Sequence, residues 1–134
     1  MKTILVLEDE ASVMRLLRFM LKEYNVIEAT TAKAALRLFD DPDNQVDLLV
    51  ADLTLPNMSG IQVALFFRSK LPGMPVILTS GYPLSDWSHR DATDLQTLGS
   101  NSVVLLQKPF QTQALLTAVG ELLGASLSRM AGTA

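Results

Sequence analysis

The sequence has no cysteine and only one histidine, His89. Without cysteine the chain cannot form disulfides, thiolate zinc sites or thiol nucleophiles, so any chemistry must use oxygen and nitrogen groups. A single histidine with no second one nearby fits a surface position better than a metal site or a phosphate donor. Both absences direct attention to the acids, hydroxyls and lysines.

Long apolar runs and basic clusters are also missing. No run approaches the roughly 18 apolar residues of a membrane span, and Met1-Lys2 leads directly into a strand-like run rather than a signal peptide. Lys and Arg number 11 against 14 Asp and Glu, which gives no support to a nucleic-acid surface, where Lys and Arg cluster. We therefore expect a cytoplasmic protein that binds neither membranes nor, by itself, nucleic acid.

The chain does have enough apolar residues to fold. Hydrophobic residues make up 49% of it, a share typical of a folded protein, and the length suits one domain with one core. We predict this domain over residues 1–123. Residues 124–134 are small and polar, and we expect them to form a flexible tail.

Two hydrophobic patterns alternate along the chain. Short runs rich in Val, Ile and Leu predict strands buried on both faces, as in a parallel sheet; they are residues 3–8, 25–30, 46–52, 75–80 and 102–107. Helical periodicity lies between them, most clearly at Val13, Leu16, Leu17, Met20 and Leu21. Further helices are predicted over 31–40, 60–70 and 112–123. The alternation predicts a doubly wound α/β fold.

The fourth helix has the least regular pattern. In the segment 81–102, Ser85 or Asp86 can cap a helix that ends near Leu98, with Gly99 just past its end. Trp87 fits either the packing of this long segment onto the core or a contact with a partner.

Polar residues stand at the carboxyl ends of the predicted strands, where ligand sites of doubly wound sheets form. They are Glu8, Asp9, Asp52, Thr79 and Lys108. Three carboxylates brought together repel one another unless a cation neutralises them, and oxygen-only ligands favour Mg²⁺. A carboxylate beside Mg²⁺ can act as a nucleophile toward phosphorus, with a hydroxyl and an ammonium group as donors to the phosphoryl oxygens.

Four motifs occur in order: "ILVLEDE", "VADLTLPNMSG", "VILTSG" and "LLQKPF". Through them the chain, from about residue 2 to residue 123, resembles the receiver domains of two-component response regulators. The resemblance implies a flavodoxin-like (βα)5 fold, a five-stranded parallel sheet with strand order 2-1-3-4-5. It also implies a phosphoacceptor domain of a phosphorelay, with Asp52 as phosphoacceptor, Thr79 as switch hydroxyl and Lys108 as phosphate-binding residue.

The same resemblance implies a cofactor, a peptide geometry and partners. Mg²⁺ would be held by Glu8, Asp9, Asp52 and the backbone carbonyl of Thr54, and the Lys108-Pro109 peptide would be cis. "LLQKPF" and "TSGY" are closest to the receivers of hybrid histidine kinases. The implied phosphoryl donor is a histidine kinase or phosphotransfer protein, and the implied output is a protein target that the sequence does not identify. We expect a stand-alone receiver or one excised from a longer protein, with no enzyme activity beyond its own phosphorylation and dephosphorylation.

One position departs from the family pattern. Leu105 stands in the last predicted strand where relatives often carry Tyr or Phe, whose ring moves when the switch hydroxyl engages phosphate. Switching would then fall to the region after Thr79. Oligomeric state is open between monomer and weak dimer, because Leu116 and Leu123 could form an exposed face or be scattered surface leucines.

Other interpretations remain beside the receiver hypothesis. The acids at 8–10 could simply favour a helix amino terminus, and Asp52 could cap a turn. An interaction domain that keeps the fold without phosphorylation is one alternative function. A phosphohydrolase of the haloacid dehalogenase type is another, although those enzymes usually carry a second Asp two residues after the first, where this chain has Thr54.

Overall fold

The structure, a computed structural model, describes the backbone of residues 1–132 and the side chains of residues 1–124. Strands and helices alternate along it: β1 (Thr3–Leu7), α1 (Ala11–Met20), β2 (Asn25–Ala29), α2 (Ala32–Asp40), β3 (Leu48–Asp52), α3 (Gly60–Lys70), β4 (Val76–Ser80), α4 (His89–Leu98), β5 (Val103–Gln107) and α5 (Thr112–Gly132). A 3-10 turn, Leu84–Asp86, precedes α4. The last helix continues to Gly132, past its predicted end at residue 123, and the flexibility expected of residues 124–134 stays a prediction.

The five strands form one sheet in the order β2-β1-β3-β4-β5, with parallel pairing throughout. This confirms the α/β fold and the strand order. Because β3 and β4 pair in parallel with Asp52 opposite Thr79, the residues that end the strands meet at one edge of the sheet.

Helices cover both faces of the sheet. Alternate residues of a strand point to opposite faces, and in β1 Leu5 and Leu7 join the core cluster with α2, α3 and α4, while Ile4 and Val6 join the cluster with α1 and α5. All five residues of β3 and of β4 are buried. The edge strands β2 and β5 are only partly buried, so the prediction of strands buried on both faces holds for the centre of the sheet alone.

The predicted cap of α4 was wrong. Pro83 to Trp87 form the 3-10 turn and its flanks, and Trp87 is buried against the core. This packing moves the start of α4 to His89, and the Ser88 hydroxyl caps it by accepting a hydrogen bond from the backbone N–H of Asp91 at 3.1 Å.

Backbone geometry and burial test the remaining predictions for α4, His89 and the two leucines. α4 ends at Leu98, as predicted, and Gly99 follows with φ of 84°, a conformation that favours glycine. His89 is exposed, as expected. Leu123 is buried and Leu116 packs against the core on the α1 and α5 side, so these two leucines do not form the exposed face considered above.

Among the described residues, no helix is long and apolar enough to span a membrane.

Candidate functional site

Backbone hydrogen bonds fix the strand ends that carry the site. Glu8 follows β1 and donates its N–H to the carbonyl of Ala29 at 3.0 Å. Lys108 follows β5 and donates its N–H to the carbonyl of Ser80 at 2.7 Å. Asp52 is the last residue of β3. The candidate side chains therefore project from a hydrogen-bonded edge of the sheet.

Glu8, Asp9 and Asp52 form the acidic cluster that the sequence predicted. One carboxylate oxygen from each lies within 4.8 Å of the others. Glu8 and Asp52 are buried, at 0% and 7% exposure, whereas Asp9 is exposed. Carboxylates of this spacing, with one side open to solvent, suit a hard cation that retains water molecules, so the donor set fits Mg²⁺.

Lys108 bridges the two buried acids. Its Nζ lies 2.9 Å from Glu8 Oε1 and 3.4 Å from Asp52 Oδ2. The Lys108-Pro109 peptide is cis, as predicted. The structure therefore brings three of the predicted site residues together, although Lys108 is 100 positions from Glu8 in the sequence.

Burial and charge act on these groups in opposite directions. Burial raises the pKa of Glu8, and the hydrogen bond from Lys108 only partly offsets this effect. Burial likewise raises the pKa of Asp52, against the opposing charge of Lys108. For Lys108, burial lowers the pKa, but the hydrogen bond to Glu8 and the charge of Asp52 outweigh it and raise the pKa overall. The lysine is therefore held in its charged form next to Asp52.

Thr79 is the last candidate from the sequence. It lies opposite Asp52 in the sheet, is fully buried, and within the described part of the chain its Oγ1 has no hydrogen-bond partner. A buried hydroxyl without a partner is costly, and such groups often mark a functional position. The side chain is thus available to a group that arrives at Asp52.

Gly60 permits the tight loop after Asp52. A Cβ added at Gly60 would lie 2.3 Å from the backbone oxygen of Asp52, closer than any side chain tolerates. The glycine N–H donates to the carbonyl of Leu53 at 3.1 Å. Ser59 caps α3, since its hydroxyl accepts from the N–H of Gln62 while the Gln62 side chain accepts from the N–H of Ser59. The start of α3 is therefore pressed against the end of β3.

Tyr82 belongs to the site but was missed from the sequence. Its hydroxyl lies 3.1 Å from the hydroxyl of Thr54, and the Thr54 N–H donates to Asp52 Oδ1 at 3.4 Å. Its place in "TSGY", three residues after Thr79, was the available signal. The direction of its side chain depends on the loop after β4, which no periodicity describes.

The geometry agrees with the comparison to known families. Residues 4–120 match the family described as response regulator receiver domain. The chain belongs to this family. Receiver domains are signalling domains of two-component systems, and the recognition made from the four motifs is confirmed.

Curated relatives of the receiver domain are longer proteins. The chain is 30% identical over 125 residues to the sensor kinase CckA of Brucella abortus, covering 90% of this chain and 12% of the kinase. It is 33% identical over 112 residues to the transcriptional regulatory protein KdpE of Mycobacterium tuberculosis, covering 82% of this chain and 46% of the regulator. The chain thus spans less than half the length of either relative.

Solved receiver domains share the fold over nearly the whole chain. A CheY-like receiver domain protein from Methanospirillum hungatei has a TM-score of 0.83 at 24% identity, covering 96% of this chain and 98% of that one. A response regulator receiver protein from Sinorhizobium medicae has a TM-score of 0.79 at 28% identity, covering 92% of this chain and 95% of that one.

Proposed function

We propose that this receiver domain accepts a phosphoryl group on Asp52 in a two-component phosphorelay and, when phosphorylated, changes a surface that another protein binds. The observation that carries the proposal is the position of the Asp52 carboxylate at the end of a fully buried strand, between two further acids and the Lys108 ammonium group. Membership of the receiver family supports it.

In the proposed phosphoryl transfer, three residues of the chain have separate roles. A carboxylate oxygen of Asp52 forms a bond to phosphorus while the bond between phosphorus and the donor breaks, and the leaving group keeps that electron pair. Lys108, already 3.4 Å from Asp52 Oδ2, offers its positive charge to the phosphoryl oxygens. The N–H of Thr54 holds the other oxygen, Oδ1, which keeps the carboxylate in one orientation.

Glu8, Asp9, Asp52 and the backbone carbonyl of Thr54 would hold Mg²⁺. When bound, the ion neutralises negative charge on the carboxylates and on the transferring group. The raised pKa values of Glu8 and Asp52 reflect the burial of two acids with one lysine between them. A second positive charge at this place would favour the ionised form of both acids.

The switch would start at Thr79. Its buried hydroxyl has no partner in the described part of the chain, and a phosphoryl oxygen on the neighbouring Asp52 would give it one. Because Ser80 follows Thr79 directly and is hydrogen bonded to Tyr82, a shift of Thr79 would move the loop before α4. Leu105, on the adjacent strand, is 38% exposed and has no ring to swing inward.

The phosphoryl donor would be a histidine kinase or phosphotransfer protein. Any such donor must contact the surface beside Asp52 and Lys108. On α1, Leu16 and Phe19 are 52% and 65% exposed, and Leu16 lines an apolar pocket of about 160 Å³ together with Lys108 and Phe110. This apolar surface next to the site supports a protein rather than a small molecule as the physiological donor.

Intact-mass spectrometry after incubation with acetyl phosphate and Mg²⁺ tests the proposed function. We expect the wild-type chain to gain one phosphoryl group, and Asp52→Asn or a chelator to prevent this. Asp43→Asn is the matched control, because it removes an exposed acid from a loop away from the site and should leave uptake unchanged. A phosphoryl group on Asp52→Asn, or none on a folded wild-type sample, would contradict the proposal.

The second candidate function is an interaction module that works without phosphorylation. Leu105, which is exposed and stands where the resemblance leads us to expect Tyr or Phe, favours it. A partner that binds Asp52→Asn as tightly as phosphorylated wild type would establish this alternative. A phosphohydrolase has less support, since Thr54 stands where a second acid would be required and its hydroxyl is paired with Tyr82.

A further inference from the structure

Tyr82 links the two loops that border Asp52. Its hydroxyl and that of Thr54 are 3.1 Å apart, although the residues lie in different loops, one after β4 and the other after β3. Thr54 in turn donates its N–H to Asp52 Oδ1. The side chain of Tyr82 therefore spans the gap beside the carboxylate that we propose is phosphorylated.

The loop after β4 is built to hold Tyr82 in this place. The buried Ser80 hydroxyl donates to the carbonyl of Tyr82 at 2.7 Å and accepts from the N–H of Tyr82 at 3.1 Å. Ser80 itself is tied to the next strand through the N–H of Lys108. The backbone of Tyr82 is thus anchored to the sheet edge through Ser80.

A second position for the Tyr82 side chain requires open space beside it. A surface pocket of about 170 Å³ borders Tyr82, Leu84, Trp87 and Leu105. Leu105, which is 38% exposed, is one of the residues that line it. Tyr82 therefore borders both Thr54 and this pocket.

We propose that Tyr82 is a positioning residue whose hydrogen bond with Thr54 restricts the access of water to phosphorylated Asp52 and so lengthens the life of the phosphoryl group. The inference rests on the proposed function of Asp52. In the step concerned, the oxygen of water forms a bond to phosphorus and the bond from phosphorus to the Asp52 oxygen breaks. Asp52 leaves as a carboxylate, and dihydrogen phosphate is released.

The strength of the bridge sets the size of the expected effect. A typical hydrogen bond changes a two-state equilibrium by about 2- to 10-fold. If water attacks only when Tyr82 has turned away, loss of the bridge raises the rate of hydrolysis by the same factor. Removing the hydroxyl of either Tyr82 or Thr54 has the same consequence, because the hydrogen bond requires both hydroxyls.

The experiment follows the loss of the phosphoryl group from chains first charged with acetyl phosphate, then freed of it and kept in Mg²⁺. Tyr82→Phe and Thr54→Val each remove one hydroxyl and keep the size of the side chain. We expect each to raise the first-order rate of loss about 2- to 10-fold, and the double variant to match the single ones. Thr54→Ser, which restores a hydroxyl, should reverse the acceleration seen in Thr54→Val.

Tyr24→Phe is the matched control, because Tyr24 precedes β2 at the opposite end of the sheet and should show the wild-type rate. A wild-type rate in Tyr82→Phe, or multiplied effects in the double variant, would overturn the inference. Either result would overturn the inference without bearing on phosphoryl uptake by Asp52 in the wild-type chain. Failure of the wild-type chain to take up a phosphoryl group would instead contradict the proposed function, and the inference with it.

Discussion

At the scale of single residues, the site is held together by one lysine between two buried acids. Glu8 is completely buried, and Lys108 Nζ is its ion-pair partner at 2.9 Å. Burying an acid without a counter-charge is far more costly than burying the pair. The same lysine therefore serves both the stability of the chain and, in our proposal, phosphoryl transfer.

Lys108→Met should lower both the stability of the chain and the rate of phosphoryl uptake. We expect the free energy of unfolding to fall by about 2 kcal/mol, since the pair is only partly buried, and phosphoryl uptake to slow by about 10- to 100-fold. Urea unfolding and the rate of mass gain measure the two effects. Lys70→Met removes an exposed ion pair with Asp40 and should change stability by no more than about 0.5 kcal/mol. Equal losses in the two variants would contradict this account of Lys108.

Asp52 should make the metal-free chain less stable at neutral pH. Burial raises its pKa above 3.8 in the folded chain, so between that value and the raised one the folded state binds more protons than the unfolded state. The group then stabilises the folded chain at low pH and loses this contribution as the pH rises. With a chelator present, we expect Asp52→Asn to be about 0.5–2 kcal/mol more stable than wild type at about pH 7.

The pH dependence of that difference identifies its cause. As the pH falls through the raised pKa of Asp52 toward 3.8, the wild-type acid becomes neutral and the advantage of Asp52→Asn should disappear. Thermal unfolding over this range measures it, with Asp43→Asn as the exposed control. If the stability advantage of Asp52→Asn instead grew toward acid pH, the pKa of Asp52 would be lowered, not raised, in the folded chain.

At the scale of elements, the contact between the end of β3 and the start of α3 positions Asp52. Gly60 is the only residue type that fits there, because any Cβ would clash with the backbone oxygen of Asp52. Strand and helix must separate to admit a methyl group, and Asp52 moves with the strand. The loop between them is thus part of the site although it carries none of its reacting groups.

Gly60→Ala should destabilise the chain by about 2–3 kcal/mol through overpacking and reduce phosphoryl uptake. Gly120→Ala is the control, since a Cβ at this exposed position of α5 meets nothing within 4 Å. It should raise stability by about 0.5–1 kcal/mol, as is typical for glycine in a helix interior. Urea unfolding of both variants checks the contrast. The account fails if Gly60→Ala is as stable as wild type.

Helices and strands could be predicted where a local hydrophobic pattern defines them. They were missed where contacts between distant residues determine their bounds. The central strands and α1 follow from continuous apolar runs and helical spacing. The start of α4 does not, because the burial of Trp87 selects Ser88 over Ser85 as its cap. The bridge between Thr54 and Tyr82 joins two loops, and no local signal fixes how two loops approach each other.

At the scale of the whole molecule, the order of the strands creates the site. β1 and β4 both flank β3, so residues far apart in the sequence end beside Asp52. The parallel fold could be predicted because alternation of strands and helices leaves few arrangements. The location of the candidate site could be predicted because acids, a hydroxyl and a lysine stand at the strand ends. Exposure of the edge strand β5 could not, since its sequence is as apolar as that of the buried strands.

The measurement that tests the central claim most directly is the location of the phosphoryl group. After incubation with acetyl phosphate and Mg²⁺, borohydride reduces an aspartyl phosphate to homoserine, which peptide mass spectrometry assigns to one position. We predict homoserine at position 52 and at no other acid. Homoserine at Asp9 or elsewhere, or none in a chain that has gained a phosphoryl group, would contradict the assignment of Asp52 as the phosphoacceptor.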